Sequence, residues 1–92
     1  MDVRFYIDPA TGEPHLRGHG VTEAEAERVL ANPAEDRGAD GTRVAIGRTS
    51  SGRTLRVIYV PDPAGEGIFV VTSYELRDKP LAAFRRRRRR KR

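Results

Sequence analysis

The residues with the clearest chemical potential are two histidines that lie four positions apart, His15 and His19, with Arg17 between them. Imidazole is the natural general acid and base near neutral pH. One imidazole can take the proton of an RNA 2′-hydroxyl and the other can protonate the leaving oxygen, while a guanidinium stabilises the charged phosphate. The alternative is structural: His19 hydrogen-bonds the backbone where a helix starts, which is the commoner use of such a segment.

Two further arginines, Arg48 and Arg53, stand at the two ends of a short Thr-Ser-Ser-Gly segment. Backbone N–H groups, serine hydroxyls and two guanidinium groups at one tight loop can hold a phosphate. The alternative, given equal weight, is a hairpin whose arginines are solvated.

Tyr74 ends an apolar run, and Arg77 follows it closely. A tyrosine at a strand end can donate a proton or stack on a base. The alternative is that Tyr74 covers the hydrophobic core. We take His15, His19, Arg53 and Tyr74 as candidate catalytic residues, and Arg48 and Arg77 as candidate nucleic-acid contacts.

The chain ends in eight consecutive basic residues, which are further candidates for nucleic-acid binding: Arg85, Arg86, Arg87, Arg88, Arg89, Arg90, Lys91 and Arg92. The chain has 18 Lys and Arg against 13 Asp and Glu, a net charge of +5, and without this run the net charge is −3. Guanidinium groups bind phosphate through paired hydrogen bonds and counterion release. The run therefore predicts RNA or another polyanion as a partner.

The composition excludes several classes of protein. Ninety-two residues predict one domain, residues 1–84, followed by a basic tail, residues 85–92. The absence of cysteine excludes disulfides, Cys metal sites and a thiol nucleophile. We expect a cytoplasmic protein without a membrane partner, because no apolar segment is long enough for export or for crossing a bilayer. We expect no metal and no cofactor.

The clearest helix covers residues 21–30, where Thr22 and Glu25 have the spacing of a capping box and Asn-Pro ends the pattern. Before it, residues 3–7 predict a strand, residues 8–12 a turn and residues 13–16 a short second strand. Residues 34–41 are polar and acidic, and predict a loop.

Residues 42–49 and 53–61 predict two strands of a hairpin, with Gly52 in a left-handed conformation at the end of the loop. Residues 68–74 predict a central strand. Asp78 and Pro80 suit the start of a second helix. The expected fold is α+β, a twisted antiparallel sheet of three to five strands with two helices packed on one face.

Three motifs in this order resemble the BrnT family of small bacterial toxins, within the RelE/ParE-like superfamily, and its uncharacterised relatives. They are His-Gly-Val-Thr-Glu-Ala-Glu at 19–25, Ile-Gly-Arg-Thr-Ser-Ser-Gly-Arg-Thr-Leu at 46–55, and Val-Thr-Ser-Tyr at 71–74 followed by Phe84. Tyr74 stands where the family's strand-ending Arg is expected, and Pro80 where its helix Glu is expected.

This resemblance implies a RelE/BrnT-like fold, ribonuclease activity that arrests translation, and neutralisation by a cognate antitoxin. The first functional hypothesis is therefore a toxin-like ribonuclease of a type II toxin–antitoxin system, which cleaves RNA by metal-independent transphosphorylation. The second is a non-catalytic nucleic-acid-binding module whose affinity comes from the arginine tail. In a third, the tail binds acidic residues of its own chain or of a neighbour, which would favour a homo-oligomer.

Overall fold

Residues 2–90 are described by a computed structural model, and within them five strands form one open sheet in the order β1-β5-β4-β3-β2. The strands are β1 (Val3–Phe5), β2 (Glu35–Ala39), β3 (Thr42–Arg48), β4 (Thr54–Pro61) and β5 (Ile68–Glu75). The helices are α1 (Glu23–Ala31) and α2 (Asp78–Arg90), and a 3₁₀ turn covers His15–His19. The expected α+β class is confirmed.

Helix α1 begins at the predicted capping box. The hydroxyl of Thr22 accepts a hydrogen bond from the N–H of Glu25 at 3.2 Å, and the Glu25 carboxylate accepts one from the N–H of Thr22 at 3.0 Å. Ala26 and Val29 are buried against the sheet. Helix and sheet approach closely at Gly47, where an added Cβ would lie only 3.2 Å from a methyl carbon of Val29.

The two helices cover opposite faces of the sheet, so the expectation that both pack on one face was wrong. Leu55 and Val57 of β4 belong to the core cluster that α1 covers. Phe84 of α2 packs instead with Ile46 and Leu76 in a second cluster. Side chains alternate along a strand, and because both faces of the central strands are apolar, each face needs its own cover.

Residues 34–41, expected to be a loop, contain strand β2. It pairs antiparallel with β3, with Glu35 opposite Ile46. The turn between the strands is Asp40-Gly41, and both residues have positive φ angles, 54° and 80°. Asp-Gly is a strong signal for a two-residue hairpin turn. The residues of β2 before this turn are mostly polar, and for that reason they were interpreted as a loop.

The beginning of the chain also differs from expectation. Residues 13–16 were expected to form a strand, but they make a single antiparallel bridge between Ile7 and Pro14 and then enter the 3₁₀ turn. Proline has no N–H with which to extend a ladder. Strand β1 pairs parallel with β5, Val3 opposite Ile68, which makes the sheet mixed.

The hairpin between β3 and β4 forms as predicted, with Gly52 at a φ of 92°. Helix α2 runs from Asp78 through Arg90, so residues 85–90 continue a helix that starts in the preceding domain. Lys91 and Arg92 lie outside the described residues. No helix within residues 2–90 combines the length and the apolar character needed to cross a membrane.

One ion pair attaches the basic end of α2 to the sheet. The side chain of Glu35 is only 3% exposed and accepts hydrogen bonds from Arg87 at 2.8 and 3.0 Å and from Arg37 at 2.9 Å. Hydrogen bonding from Arg87, helped by Arg37, lowers the pKa of the Glu35 carboxyl from 4.5 to about 2, against the opposing effect of burial.

This ion pair predicts a loss of stability in acid. A carboxyl whose pKa is lowered by folding contributes fully above pH 4.5, and the contribution is lost as the pH falls through about 2. We expect the lowered pKa of the Glu35 carboxyl to contribute about 3 kcal/mol to the free energy of unfolding at neutral pH. Denaturant unfolding of Glu35→Gln between pH 6 and pH 2 should therefore show a shallower decline than the wild type.

The matched control is Glu27→Gln, which removes an exposed carboxyl that has no hydrogen bond among the described residues. It should decline like the wild type. Asp62, whose pKa is also lowered to about 2 by its hydrogen bond from Arg4, supplies part of the decline that remains in Glu35→Gln. Identical pH profiles for Glu35→Gln and the wild type would contradict the prediction.

Candidate nucleic-acid interface

Three of the four candidate catalytic residues come together beside the free end of β5. The rings of His15 and His19 have centroids 5.2 Å apart, and the rings of His19 and Tyr74 have centroids 6.1 Å apart. The 3₁₀ turn that carries the histidines is anchored by Leu16, which is 1% exposed in the core. His15 also lies 3.4 Å, Nδ1 to Oδ2, from the carboxylate of Asp8.

Arg56 joins this group, although sequence reasoning did not select it. Its Nη1 donates a hydrogen bond to the hydroxyl of Tyr74 at 3.2 Å, and its guanidinium carbon lies 5.8 Å from the centroid of that ring. Its Nε is buried and has no hydrogen-bond partner within residues 2–90. The signal in the sequence was an arginine at an inward position of the otherwise apolar strand β4.

Arg53 does not join the histidines and Tyr74. It bridges helix α1 and strand β5, with Nη1 3.0 Å from an oxygen of Glu25 and Nε 3.3 Å from an oxygen of Glu75. The physical reason is alternation along the strand: Arg53 lies on the face that α1 covers, whereas Tyr74 pairs with Arg56 and faces the other way. The structure therefore divides the candidate catalytic residues between two faces.

Arg48 lies beside the basic helix α2. A groove of about 450 Å³ is lined by Arg48 and by Arg85, Arg88 and Arg89 of α2, and we call it the arginine cleft. Arg88 donates a hydrogen bond to the carbonyl of Ala34 at 3.1 Å. The side chains of Arg48, Arg85 and Arg89 make no hydrogen bond or ion pair with any residue of 2–90.

A second groove lies along the other flank of α2. We call it the tyrosine cleft; it has a volume of about 370 Å³ and is lined by the residues Glu35, Arg37, Val44, Ile46, Arg56, Ile58, Tyr74 and Arg87. Its arginines outnumber its one carboxylate by three to one. Sequence reasoning missed the cleft because β2, which supplies Glu35 and Arg37, was expected to be a loop.

The remaining basic candidates are spread over the surface. Arg77 is 76% exposed and lies 3.3 Å from the carboxylate of Glu75. Arg86 and Arg90 are exposed on α2. The acidic residues that the third hypothesis offers as partners of the tail are Glu23, Glu25, Glu27, Glu35 and Asp36. Within residues 2–90, Glu35 is the one of these that forms an ion pair with α2.

No protein-family model matches this chain, and no curated protein or solved structure matches it. The likeness to the BrnT family therefore rests on the three motifs alone.

Within residues 2–90, no group of three or more His, Asp or Glu side chains is arranged to hold a metal ion.

The position of Arg53 predicts a structural role. Arg53→Gln removes charged hydrogen bonds to two partly buried carboxylates, which should lower the free energy of unfolding by about 1–2 kcal/mol. Arg77→Gln is the matched control, because it removes an exposed partner of Glu75 and should cost less than about 0.5 kcal/mol. Denaturant melts of both variants measure the difference; equal stability of the two would contradict the assignment.

Proposed function

We propose that this protein binds nucleic acid, and that the arginine cleft makes the principal phosphate contacts. The observation that carries the proposal is the convergence of Arg48, Arg85 and Arg89 on one groove without a carboxylate partner among residues 2–90. Guanidinium groups held side by side repel one another, and an anion between them relieves the repulsion while accepting paired hydrogen bonds. A phosphate backbone supplies such anions at regular intervals.

The distribution of charge supports the same proposal. The chain without its last eight residues carries a net charge of −3, so attraction for a polyanion is concentrated near α2. Helix α1, with Glu23 and Glu25 in its first turn, covers the opposite face of the sheet. We expect a nucleic acid to approach the α2 side, because Arg48, Arg85 and Arg89 lie there without carboxylate partners within residues 2–90, whereas Glu23 and Glu25 lie on the α1 side.

The proposal predicts that the loss of RNA affinity on removing an arginine depends on where that arginine lies. The double variant Arg48→Gln and Arg89→Gln should weaken binding to a short RNA by about tenfold or more at moderate salt, because it removes two phosphate contacts. In fluorescence anisotropy titrations, the slope of log K against log salt concentration should fall by about 0.7 for each lost contact with a single strand.

The matched control is Arg28→Gln, which removes an exposed guanidinium of α1 that makes no side-chain hydrogen bond or ion pair within the described residues. It changes the net charge without touching the arginine cleft. Its binding and salt slope should stay close to those of the wild type. Losses of equal size per removed charge in the control and the double variant would mean that binding follows net charge alone.

A second candidate function is favoured by the chain of rings from His15 through His19 to Tyr74, beside the guanidinium of Arg56. It is a toxin-like endoribonuclease. One imidazole would accept the proton of the 2′-hydroxyl, whose oxygen attacks the adjacent phosphorus, and the other imidazole or Tyr74 would protonate the departing 5′-oxygen. The products would be a 2′,3′-cyclic phosphate and a 5′-hydroxyl. Arg56 would stabilise the phosphate in the role expected for Arg53.

The resemblance to the BrnT family also supports this second candidate, and with it a cognate antitoxin as partner. The test is expression of the chain without any partner, followed by incubation of purified protein with RNA in the presence of EDTA. Growth arrest and products that end in a cyclic phosphate are expected if the hypothesis holds. His19→Gln should then reduce cleavage by at least 100-fold while RNA binding persists. Normal growth together with intact RNA would reject the enzyme and leave the binding proposal standing.

A further inference from the structure

We infer that the tyrosine cleft binds one unstacked nucleotide of a single-stranded nucleic acid, with the base against the sheet and a phosphate at the arginine rim. This inference rests on the proposed function and adds the form of the nucleic acid that is recognised. It concerns residues on β2, β3, β4 and β5 rather than the arginine tail.

The floor of the cleft suits a flat apolar group. Val44 and Ile58 are only half-buried in the centre of the sheet, beside Ile46. The side chain of Phe84 on helix α2 covers Ile46, but the helix leaves another part of the same face of the sheet open. Half-exposed aliphatic side chains lose unfavourable contact with water when a flat ring covers them, and a nucleobase is such a ring.

The wall of the cleft suits a base in particular. Tyr74 presents an aromatic ring that is already oriented by its hydrogen bond from Arg56 and by packing against the Ile46 cluster. Bases that have left a duplex stack on aromatic rings and on guanidinium planes, and every base has a face that can do so. The cleft offers both kinds of surface within one groove of about 370 Å³, within the size range of small-ligand sites.

The rim supplies the charge that a nucleotide needs. Arg37, Arg56 and Arg87 stand against the single carboxylate of Glu35, whose two oxygens are already occupied by Arg37 and Arg87. The cleft is therefore cationic, because Arg37 and Arg87 already neutralise its one carboxylate. An aliphatic floor with a cationic rim matches a ligand that has a flat uncharged part and an anionic part.

The two clefts can be used by one strand. They lie on opposite flanks of α2, because Arg85 and Arg89 line one and Arg87 lines the other. The exposed side chains of Arg86 and Arg90 lie on the same helix, so a backbone that crosses α2 stays close to positive charge. Duplex bases remain stacked and paired, and cannot enter the tyrosine cleft without being extruded.

The first test uses nuclear magnetic resonance on the full chain with adenosine 5′-monophosphate as the probe. We expect shifts of the backbone amides of Val44 and Ile58 that saturate with added nucleotide. Inorganic phosphate and ribose 5-phosphate should move the amides of the arginine cleft and leave those two nearly unchanged. Octanoate tests the alternative ligand; shifts of Val44 and Ile58 as large as those caused by the nucleotide would show that the cleft accepts any amphipathic anion and would overturn the inference.

The second test compares a single-stranded RNA with the same RNA in a duplex. We expect the wild type to prefer the single strand, and Tyr74→Leu to lose about tenfold in affinity for it with little change for the duplex. Tyr74→Phe keeps the ring and should lose much less. Arg37→Gln removes an exposed cation of the rim while Arg87 still holds Glu35, and should weaken binding of the nucleotide severalfold.

The outcomes separate this inference from the proposed function. In one outcome, the double variant of Arg48 and Arg89 weakens RNA binding, single-stranded and duplex RNA bind equally well, and Tyr74→Leu has no effect. That result would reject the nucleotide site in the tyrosine cleft and leave the proposed function standing. If the nucleotide shifts Val44 and Ile58 while the double variant binds RNA like the wild type, the arginine cleft fails and the tyrosine cleft stands. Arg28→Gln serves as the control in both series.

Discussion

The ion pair between Glu35 and Arg87 is the contact on which the two clefts beside α2 depend. Six consecutive arginines, residues 85–90, repel one another along a helix, and the apolar residues Leu81 and Phe84 anchor only its first half. A nearly inaccessible carboxylate on β2 holds the second half by hydrogen bonds to Arg87. Both clefts exist because α2 lies across the sheet. One buried carboxylate therefore fixes the positions of the arginines that line the two clefts.

The local elements were predictable where the backbone requires particular residues. A capping box fixes the start of α1 at Thr22 whatever packs around it, and Gly52 takes the left-handed conformation that its hairpin needs. Strand β2 was not predictable from its own side chains, because Glu35 and Arg37 satisfy each other and Arg87 only after the sheet has formed. The signal lay in the turn at Asp40-Gly41, beyond the end of the strand.

The candidate site was harder to predict than the fold because it depends on which face of the sheet a side chain occupies. Arg53 and Arg56 are three positions apart, so strand alternation sends them to opposite faces. Motif spacing cannot show which of two opposed faces will carry the second helix. The histidines lie beside Tyr74, since the short turn after Pro14 has little freedom once Leu16 is buried.

The tail is thus not a uniform string of charges. Arg87 is committed to Glu35 and Arg88 donates to the carbonyl of Ala34, so these two residues hold the helix in place. Arg85 and Arg89, one helical turn apart, point their charge into the groove beside Arg48. A solvated tail would lose backbone conformational entropy on binding a polyanion, whereas the backbone that carries Arg85 and Arg89 is already ordered in α2. In the proposed complex, the placement of the arginines, more than their number, would determine where a phosphate backbone lies.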